Sequence, residues 1–380
     1  MMQYRKFGNT GVSISALGFG CMRLPEVEEN GTFHVDYEKS NEMLRRAAEL
    51  GVNYFDTAYF YCHADSEVAV GKALKPIRDK VYISTKCPME NVHSREDYRR
   101  LLEDSLRKLD TDYIDFYHFW AINKKVFDEK IMGLSLIDEA LKAKAEGKIR
   151  HISFSFHDDP SVIQYILEKA PEMETMLVQY NMLDRKNEEM IAFAASRGVG
   201  VVAMGPVGGG RLAAPTALGE KIANNASLST YELAFRFVLG NPNISCALSG
   251  MQTLSMVVQN VAVAEQSGNL TKEDFDNMTK ALEELHKFSE LYCTGCGYCQ
   301  PCPKGINIPR IFADYTYYNV YGLSETAKKD FSTYENGTED QAPGATSKDC
   351  VNCGYCERKC PQHLSIRSEL KRVEEVLRSL

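Results

Sequence analysis

The sequence predicts an α/β chain: a (β/α)8 barrel of the TIM type, followed by a smaller, mainly helical module built around cysteines. Three observations predict it. Short apolar runs alternate with amphipathic helical stretches, and eight such units occupy about 260 residues, the size of a closed barrel. No G-x-G-x-x-G turn follows the first strand, where the chain reads Gly18-Phe19-Gly20-Cys21, and this disfavours a doubly wound open sheet. Eight of the twelve cysteines lie between Cys293 and Cys360, which sets the last quarter of the 380 residues apart.

Residues 4–20 read as a small hairpin that turns at Asn9-Thr10-Gly11 and feeds the first apolar run. The strands are expected at 14–20, 52–56, 81–85, 113–119, 150–155, 176–179, 199–204 and 244–248. Helices are expected at 38–50, 94–109, 134–146, 162–169, 188–197, 230–239 and 254–266. Gly51, Gly147 and Gly198 follow three of them as stop signals. The stretch 268–285 reads as one more helix, capped by Thr271 with Glu273 and Asp274 in its first turn. The domain boundary is expected between 287 and 288. Inside the cysteine module, 308–321 and 366–380 look helical. The polar stretch 323–349, with Asn336-Gly337 and Pro343-Gly344, reads as a surface loop.

Composition excludes several functions. A net charge of −8 and a pI near 5.6 oppose nucleic-acid binding. No run of eighteen apolar residues occurs, so no membrane span is expected. The opening Met1-Met-Gln-Tyr-Arg-Lys-Phe-Gly lacks the apolar core of a signal peptide. The expected location is therefore cytoplasmic, where clustered cysteines serve as metal ligands more often than as disulfides.

Barrel active sites form where strands end on the C-terminal face. Asp56, Lys86 and His118 fall at or near such ends on three consecutive strands, and Tyr61 follows in the loop after the first of them. Taken singly, each has a plain structural explanation: Asp56 caps a loop, Lys86 pairs with it, Tyr61 packs, and His118 is a core histidine between Tyr117 and Phe119. Together they make coherent chemistry. A phenol with a pKa near 10 needs its anion favoured before it can act near neutrality. A neighbouring lysine does this, an aspartate keeps the lysine charged, and a histidine can orient a substrate oxygen. The set suits protonation of a carbonyl oxygen while hydride arrives at carbon.

These residues sit in Phe55-Asp-Thr-Ala58 with Tyr61, Ile83-Ser-Thr-Lys86 and Tyr113-Ile-Asp-Phe-Tyr-His118. Gly147-Lys-Ile-Arg150, Val178-Gln-Tyr-Asn181 and Ala234-Phe-Arg-Phe-Val-Leu239 accompany them. Over roughly residues 1–285 the chain resembles the aldo-keto reductase family. The resemblance implies a catalytic tetrad of Asp56, Tyr61, Lys86 and His118, NADPH or NADH as hydride donor, and a small-molecule aldehyde or ketone as substrate. It places the nicotinamide amide at Ser155 and Gln179, with Phe156 where the family usually has Asn. Met204, before Gly205-Pro206, stands where the family carries an aromatic under the nicotinamide. The loop Gly205-Pro-Val-Gly208-Gly-Gly-Arg211 can turn backbone N–H groups towards a pyrophosphate. The stretch 249–260 resembles the adenosine-binding segment, ending at Asn260. Gly250 and Met256 occupy positions where NADPH-using members often carry Lys or Arg.

The cysteine module reads Cys293-x2-Cys296-x2-Cys299-x2-Cys302-Pro, then Cys350-x2-Cys353-x2-Cys356-x3-Cys360-Pro. The second run matches bacterial [4Fe–4S] ligation, and the first is one residue shorter before its last Cys. In two-cluster ferredoxins the fourth ligand is exchanged between runs. One cluster is then expected on Cys293, Cys296, Cys299 and Cys360, the other on Cys302, Cys350, Cys353 and Cys356. Zinc is the alternative metal. The long spacer and flanking helices resemble the helical type of two-cluster ferredoxin.

The halves raise a question of electron count. A hydride carries two electrons, a cluster carries one, and no flavin motif is visible. The clusters can be structural, or serve a redox partner protein, or feed the barrel directly. The alternative function is an electron-transfer or docking protein whose barrel does not use nicotinamide in the usual way. The changes at Phe156, Met204, Gly250 and Met256 motivate it.

Overall fold

The computed structural model describes residues 1–29, 31–182, 184–210, 212, 229–266, 293, 295–319, 324–338 and 341–380. They fall into two compact units. The first lies within Met1–Asn181, Arg185–Pro206 and Phe235–Leu270; the second lies within Met182–Asp184, Val207–Ala234 and Thr271–Leu380.

The first unit begins with the hairpin. β1 (Tyr4–Lys6) pairs antiparallel with β2 (Ser13–Ser15), Tyr4 opposite Ser15. Next come β3 (Leu17–Gly20) and a second hairpin, β4 (Glu26–Glu29) with β5 (Thr32–Val35), which sequence reasoning did not anticipate. The remaining strands are β6 (Tyr54–Asp56), β7 (Tyr82–Cys87), β8 (Ile114–Ile122), β9 (Ile149–Phe156), β10 (Thr175–Gln179), β11 (Gly200–Met204) and β12 (Cys246–Gly250). β3, β6–β9 and β10–β12 close into an eight-stranded barrel in the order β10-β11-β12-β3-β6-β7-β8-β9. Every expected barrel strand is present, and every barrel pairing is parallel.

Parallel closure sends all strand ends to one mouth, while the first hairpin plugs the other. Phe7, fully buried, packs its ring 4.9 Å from Phe116 and 5.8 Å from Tyr54. Burying such a side chain contributes about 1.5–3 kcal/mol. The crossover helices begin at polar caps. Asp36 accepts from the Lys39 N–H at 3.1 Å ahead of Tyr37–Glu49, and Ser94 accepts from the Asp97 N–H at 3.1 Å ahead of Arg95–Leu109. The expected helix at 268–285 lies outside the described residues.

In the second unit, helices Ile308–Asn319, Ser324–Asn336 and Ile366–Ser379 share one apolar core, with Ile311, Phe312, Ala327, Phe331, Leu370 and Val373 buried in it. The helix Ser324–Asn336 corrects the expectation of a surface loop at 323–349. Ala327, Phe331 and Tyr334 recur at helical spacing, and packing of the first two into the core outweighs the turn-forming residues that follow. Glu374 is fully buried but satisfied, accepting from Ser347 N at 2.7 Å and Arg378 Nη2 at 2.9 Å. Among the described residues no helix is long and apolar enough to cross a membrane.

Candidate active site

The barrel mouth brings Asp56, Lys86 and His118 together. Asp56 ends β6 and is the register partner of Ser84 on β7; Lys86 is the register partner of His118 on β8. Asp56 and Lys86 are each 1% exposed. Lys86 Nζ donates to Asp56 Oδ2 and to the Thr57 carbonyl, both at 2.6 Å, and Ser84 Oγ donates to Asp56 Oδ1 at 2.6 Å. Both carboxylate oxygens are thus engaged, as a buried charge requires. Burial pushes the Lys86 ammonium below its ordinary pKa, and Asp56 opposes that push, followed by Cys21 and Glu67.

The Tyr61 ring lies beneath this cation. Lys86 Nζ is 4.6 Å from its centroid, and Trp120 meets the ring edge-on at 5.6 Å. His118 is fully buried, and neither ring nitrogen has a partner at hydrogen-bond geometry. Burial first, and Lys86 second, push its pKa down to about 3, against a weak upward pull from the Phe154 carbonyl. It is neutral at physiological pH and keeps one N–H to donate and one nitrogen to accept. β8 runs four residues past His118 through an irregularity, where Ala121 adopts φ 51°.

Two contributors escaped the sequence reading. Ser84 is one; lying two residues before Lys86 on a strand, it faces the same side, and that alternation was the available signal. Glu67 is the other, fully buried, accepting from Thr85 Oγ1 at 2.6 Å and lying 3.3 Å from Lys108 Nζ. Nothing in its local sequence marks it.

Directly after Tyr61 the backbone turns left-handed for three residues without a glycine: Cys62 (φ 50°, ψ 56°), His63 (φ 55°, ψ 36°) and Ala64 (φ 67°). Each costs about 1–2 kcal/mol. Surrounding contacts hold the segment. Asp65 accepts from Val35 N at 2.9 Å and from the Tyr37 hydroxyl at 2.6 Å, His63 stacks on Phe33, and the Cys62 thiol donates to the Met22 carbonyl at 3.5 Å. Burial raises the Cys62 pKa to about 12, so the thiol remains a donor. Ala64→Gly is expected to raise stability by about 0.5–1 kcal/mol, the left-handed penalty relieved less the extra freedom of the unfolded chain. A urea titration showing destabilisation would refute the strain.

The eight clustered cysteines carry no disulfide and converge on two recesses within the second unit. Cys293, Cys296 and Cys299 line one with Cys360, in about 330 Å³ that is partly open to solvent. Cys350, Cys353 and Cys356 line the other with Cys302, in about 380 Å³, and Cys299 reaches it too. Each recess therefore combines three cysteines of one run with the last cysteine of the other. This donor set fits two four-iron clusters with exchanged fourth ligands.

A model of the aldo/keto reductase family matches residues 16–283. The chain belongs to this family. A model of a 4Fe-4S dicluster domain matches residues 292–365. Its relatives include an L-galactose dehydrogenase of Arabidopsis thaliana, 29% identical over 294 residues, 71% of this chain and 90% of that one. An uncharacterized oxidoreductase of Bacillus subtilis, YqkF, is 27% identical over 331 residues, 77% of this chain and 98% of its own. Among solved structures, the holo form of aldo-keto reductase AKR11C1 from Bacillus halodurans superposes with a TM-score of 0.64 at 29% identity, covering 74% of this chain and 96% of that one. The protein is thus an aldo/keto reductase, an NAD(P)H-dependent oxidoreductase with a 4Fe-4S dicluster domain.

Of the nucleotide positions expected of this aldo/keto reductase, Ser155, Gln179, Met204 and Gly250 lie at or near the ends of barrel strands, and Asn260 lies in the helix Leu254–Gln266. The Ser155 hydroxyl accepts from the Ala121 N–H at 2.7 Å and retains its own proton to donate. Gln179 ends β10 as the register partner of Met204 on β11. Gly205 follows with φ 65°, so close to the Gln179 amide that a Cβ would sit 2.6 Å from its Nε2, and Asn181 Nδ2 donates to the Gly205 carbonyl at 2.9 Å. Pro206 is buried. Gly208 opens a turn whose three glycines all have positive φ, in the second unit; Arg211 lies outside the described residues. Gly250 is exposed at the end of β12, and Asn260 Nδ2 donates to Ser249 Oγ at 3.1 Å. A donor hydroxyl at Ser155, the Gln179 amide and the bare backbone of Gly205 fit a nicotinamide carboxamide. Phe156 is 1% exposed in β9 and offers it no polar atom.

Proposed function

We propose that this aldo/keto reductase reduces an aldehyde or ketone with NADPH or NADH, and that Tyr61 donates the proton. The observation that carries the reading is the fully buried Asp56–Lys86 pair, with the Lys86 ammonium 4.6 Å from the Tyr61 ring centroid. In this reading Tyr61 protonates the carbonyl oxygen, and Lys86 favours the phenolate left behind until solvent restores the proton. Asp56, itself held by Ser84, keeps Lys86 charged. Neutral His118 donates its N–H to the carbonyl oxygen and sets its orientation; no positive histidine competes with Lys86. Ser155, Gln179, Met204, Gly205, Pro206, Gly208, Gly250 and Asn260 are the proposed nucleotide contacts. Bound there, the nucleotide supplies hydride to the carbonyl carbon.

We place the boundary of the catalytic domain at 287 and the cluster domain at 288–380. The clusters are assigned to Cys293, Cys296, Cys299 and Cys360, and to Cys302, Cys350, Cys353 and Cys356. Such a cluster supplies one electron at a time.

The test is isotopic. Nucleotide deuterated at nicotinamide C4 is offered with a panel of aldehydes and ketones, and the alcohol is examined by mass spectrometry. Deuterium on the carbinol carbon is the expected result. An alcohol formed without label, or no saturable nucleotide binding by fluorescence, would favour a barrel that does not use nicotinamide in the usual way.

A further inference from the structure

The two cysteine recesses differ in what surrounds them. The one with Cys293, Cys296, Cys299 and Cys360 is otherwise lined by apolar or uncharged residues such as Phe312, Pro361 and Leu364. The other is lined by Lys304, Arg367 and Val351, and opens at Cys353, an exposed cysteine. Val351 is 56% exposed, far more than an apolar residue beside a buried ligand set needs to be. Arg358 Nη1 donates to the Cys353 carbonyl at 3.0 Å, and Arg367 Nη1 donates to the Asn352 carbonyl at 3.2 Å. Two guanidinium groups are therefore fixed beside the exposed loop. Lys304 is exposed and makes no ion pair among the described residues. Across 303–304 and 349–367 the carboxylates are Asp349, whose Oδ2 accepts from Thr346 N at 2.8 Å, and Glu357, already gripped by Arg367 Nε at 2.9 Å and Nη2 at 2.7 Å.

We propose that the recess of Cys302, Cys350, Cys353 and Cys356 is the electron port of the chain, and that its rim docks an acidic one-electron carrier protein. This rests on the reading that the recess holds a cluster. A small apolar centre at Val351, flanked by Lys304 and Arg358, for which the described residues show no ion pair, is the make-up of a transient redox interface. The chain as a whole carries −8, so an acidic carrier is repelled over most of the surface and steered to this rim. The exchange is balanced: one electron leaves the reduced carrier, which is oxidised by one, and enters the cluster, which is reduced by one. No bond or proton moves.

The experiment uses the full chain carrying its clusters and, as probe, a purified acidic flavodoxin in its hydroquinone form. Binding is measured by calorimetry across a salt series, and cluster bleaching is followed by stopped flow. Binding is expected to weaken as salt rises. Lys304→Glu is expected to weaken it about tenfold and to slow flavodoxin-driven bleaching by a similar factor. Iron content and the extent of reduction by dithionite should stay unchanged. Val351→Asp, which leaves every cation of the rim in place, provides a second variant with the same expected direction. Salt-independent binding, or binding untouched by both substitutions, would overturn the port while leaving the cluster assignment intact. A wild-type chain lacking the iron of two clusters would overturn the assignment, and the port with it.

Discussion

Tyr61→Phe is expected to lower carbonyl turnover by about 10²–10⁴-fold, the usual worth of a positioned general acid. The substitution removes one oxygen and keeps the ring. The edge contact with Trp120 at 5.6 Å and the seat of Lys86 over the ring at 4.6 Å both survive it. Nucleotide binding, measured by fluorescence, should therefore hold while kcat falls, and the visible absorbance of the clusters should not change. That split separates loss of a proton donor from loss of a fold. If steady-state turnover stayed within a few-fold of the wild type, the proton would come from elsewhere, and Tyr61 would be a packing residue under a cation.

Much of the barrel was legible because its strands are short, apolar and separated by helices with ordinary caps. Asp56, Lys86 and His118 could be placed because position along a parallel strand fixes which mouth a residue approaches. What the mouth does with them was less legible. Ser84 shares a strand with Lys86, yet serine at that spacing is compatible with many roles, and only the register with Asp56 gives it one. Glu67 is joined to the site by a bond to Thr85 across 18 positions. The left-handed turn at Cys62–Ala64 was hidden for a stronger reason. Its residue types argue against that conformation, and contacts from the hairpin β4–β5 and from Met22 impose it. In the second unit the helix Ser324–Asn336 was masked by its polarity, since only Ala327 and Phe331 are deeply buried. The grouping of the cysteines at two recesses was legible because thiolate spacing constrains a cluster more tightly than apolar spacing constrains a helix.

The electron count links the two halves. Hydride transfer as proposed needs no cluster, and the role proposed for the buried pair beside Tyr61 concerns protons alone. A port at Cys353 would be useless to a structural cluster and necessary to one that exchanges single electrons. The flavodoxin experiment therefore bears on the purpose of the second domain, whereas Tyr61→Phe bears only on the first.

Breaking the buried pair, as distinct from removing it, should cost the barrel heavily. Lys86→Met is expected to cost about 3–5 kcal/mol, because it leaves the Asp56 carboxylate at 1% exposure with only the Ser84 hydroxyl and no countercharge. Methionine preserves the length of the side chain, so lost packing contributes little. Asp56→Asn combined with Lys86→Met removes both charges, and the double variant should recover most of the loss, since replacing a buried pair by neutral groups is often close to neutral. Trp120, the single tryptophan, sits against Tyr61 and reports on this part of the barrel in a urea titration. Additive losses in the double variant would mean that the two charges are stabilised independently. A cost below about 1 kcal/mol for Lys86→Met, the level of a surface ion pair, would mean that water reaches Asp56 and that Lys86 is not the group holding the phenol ready to ionise.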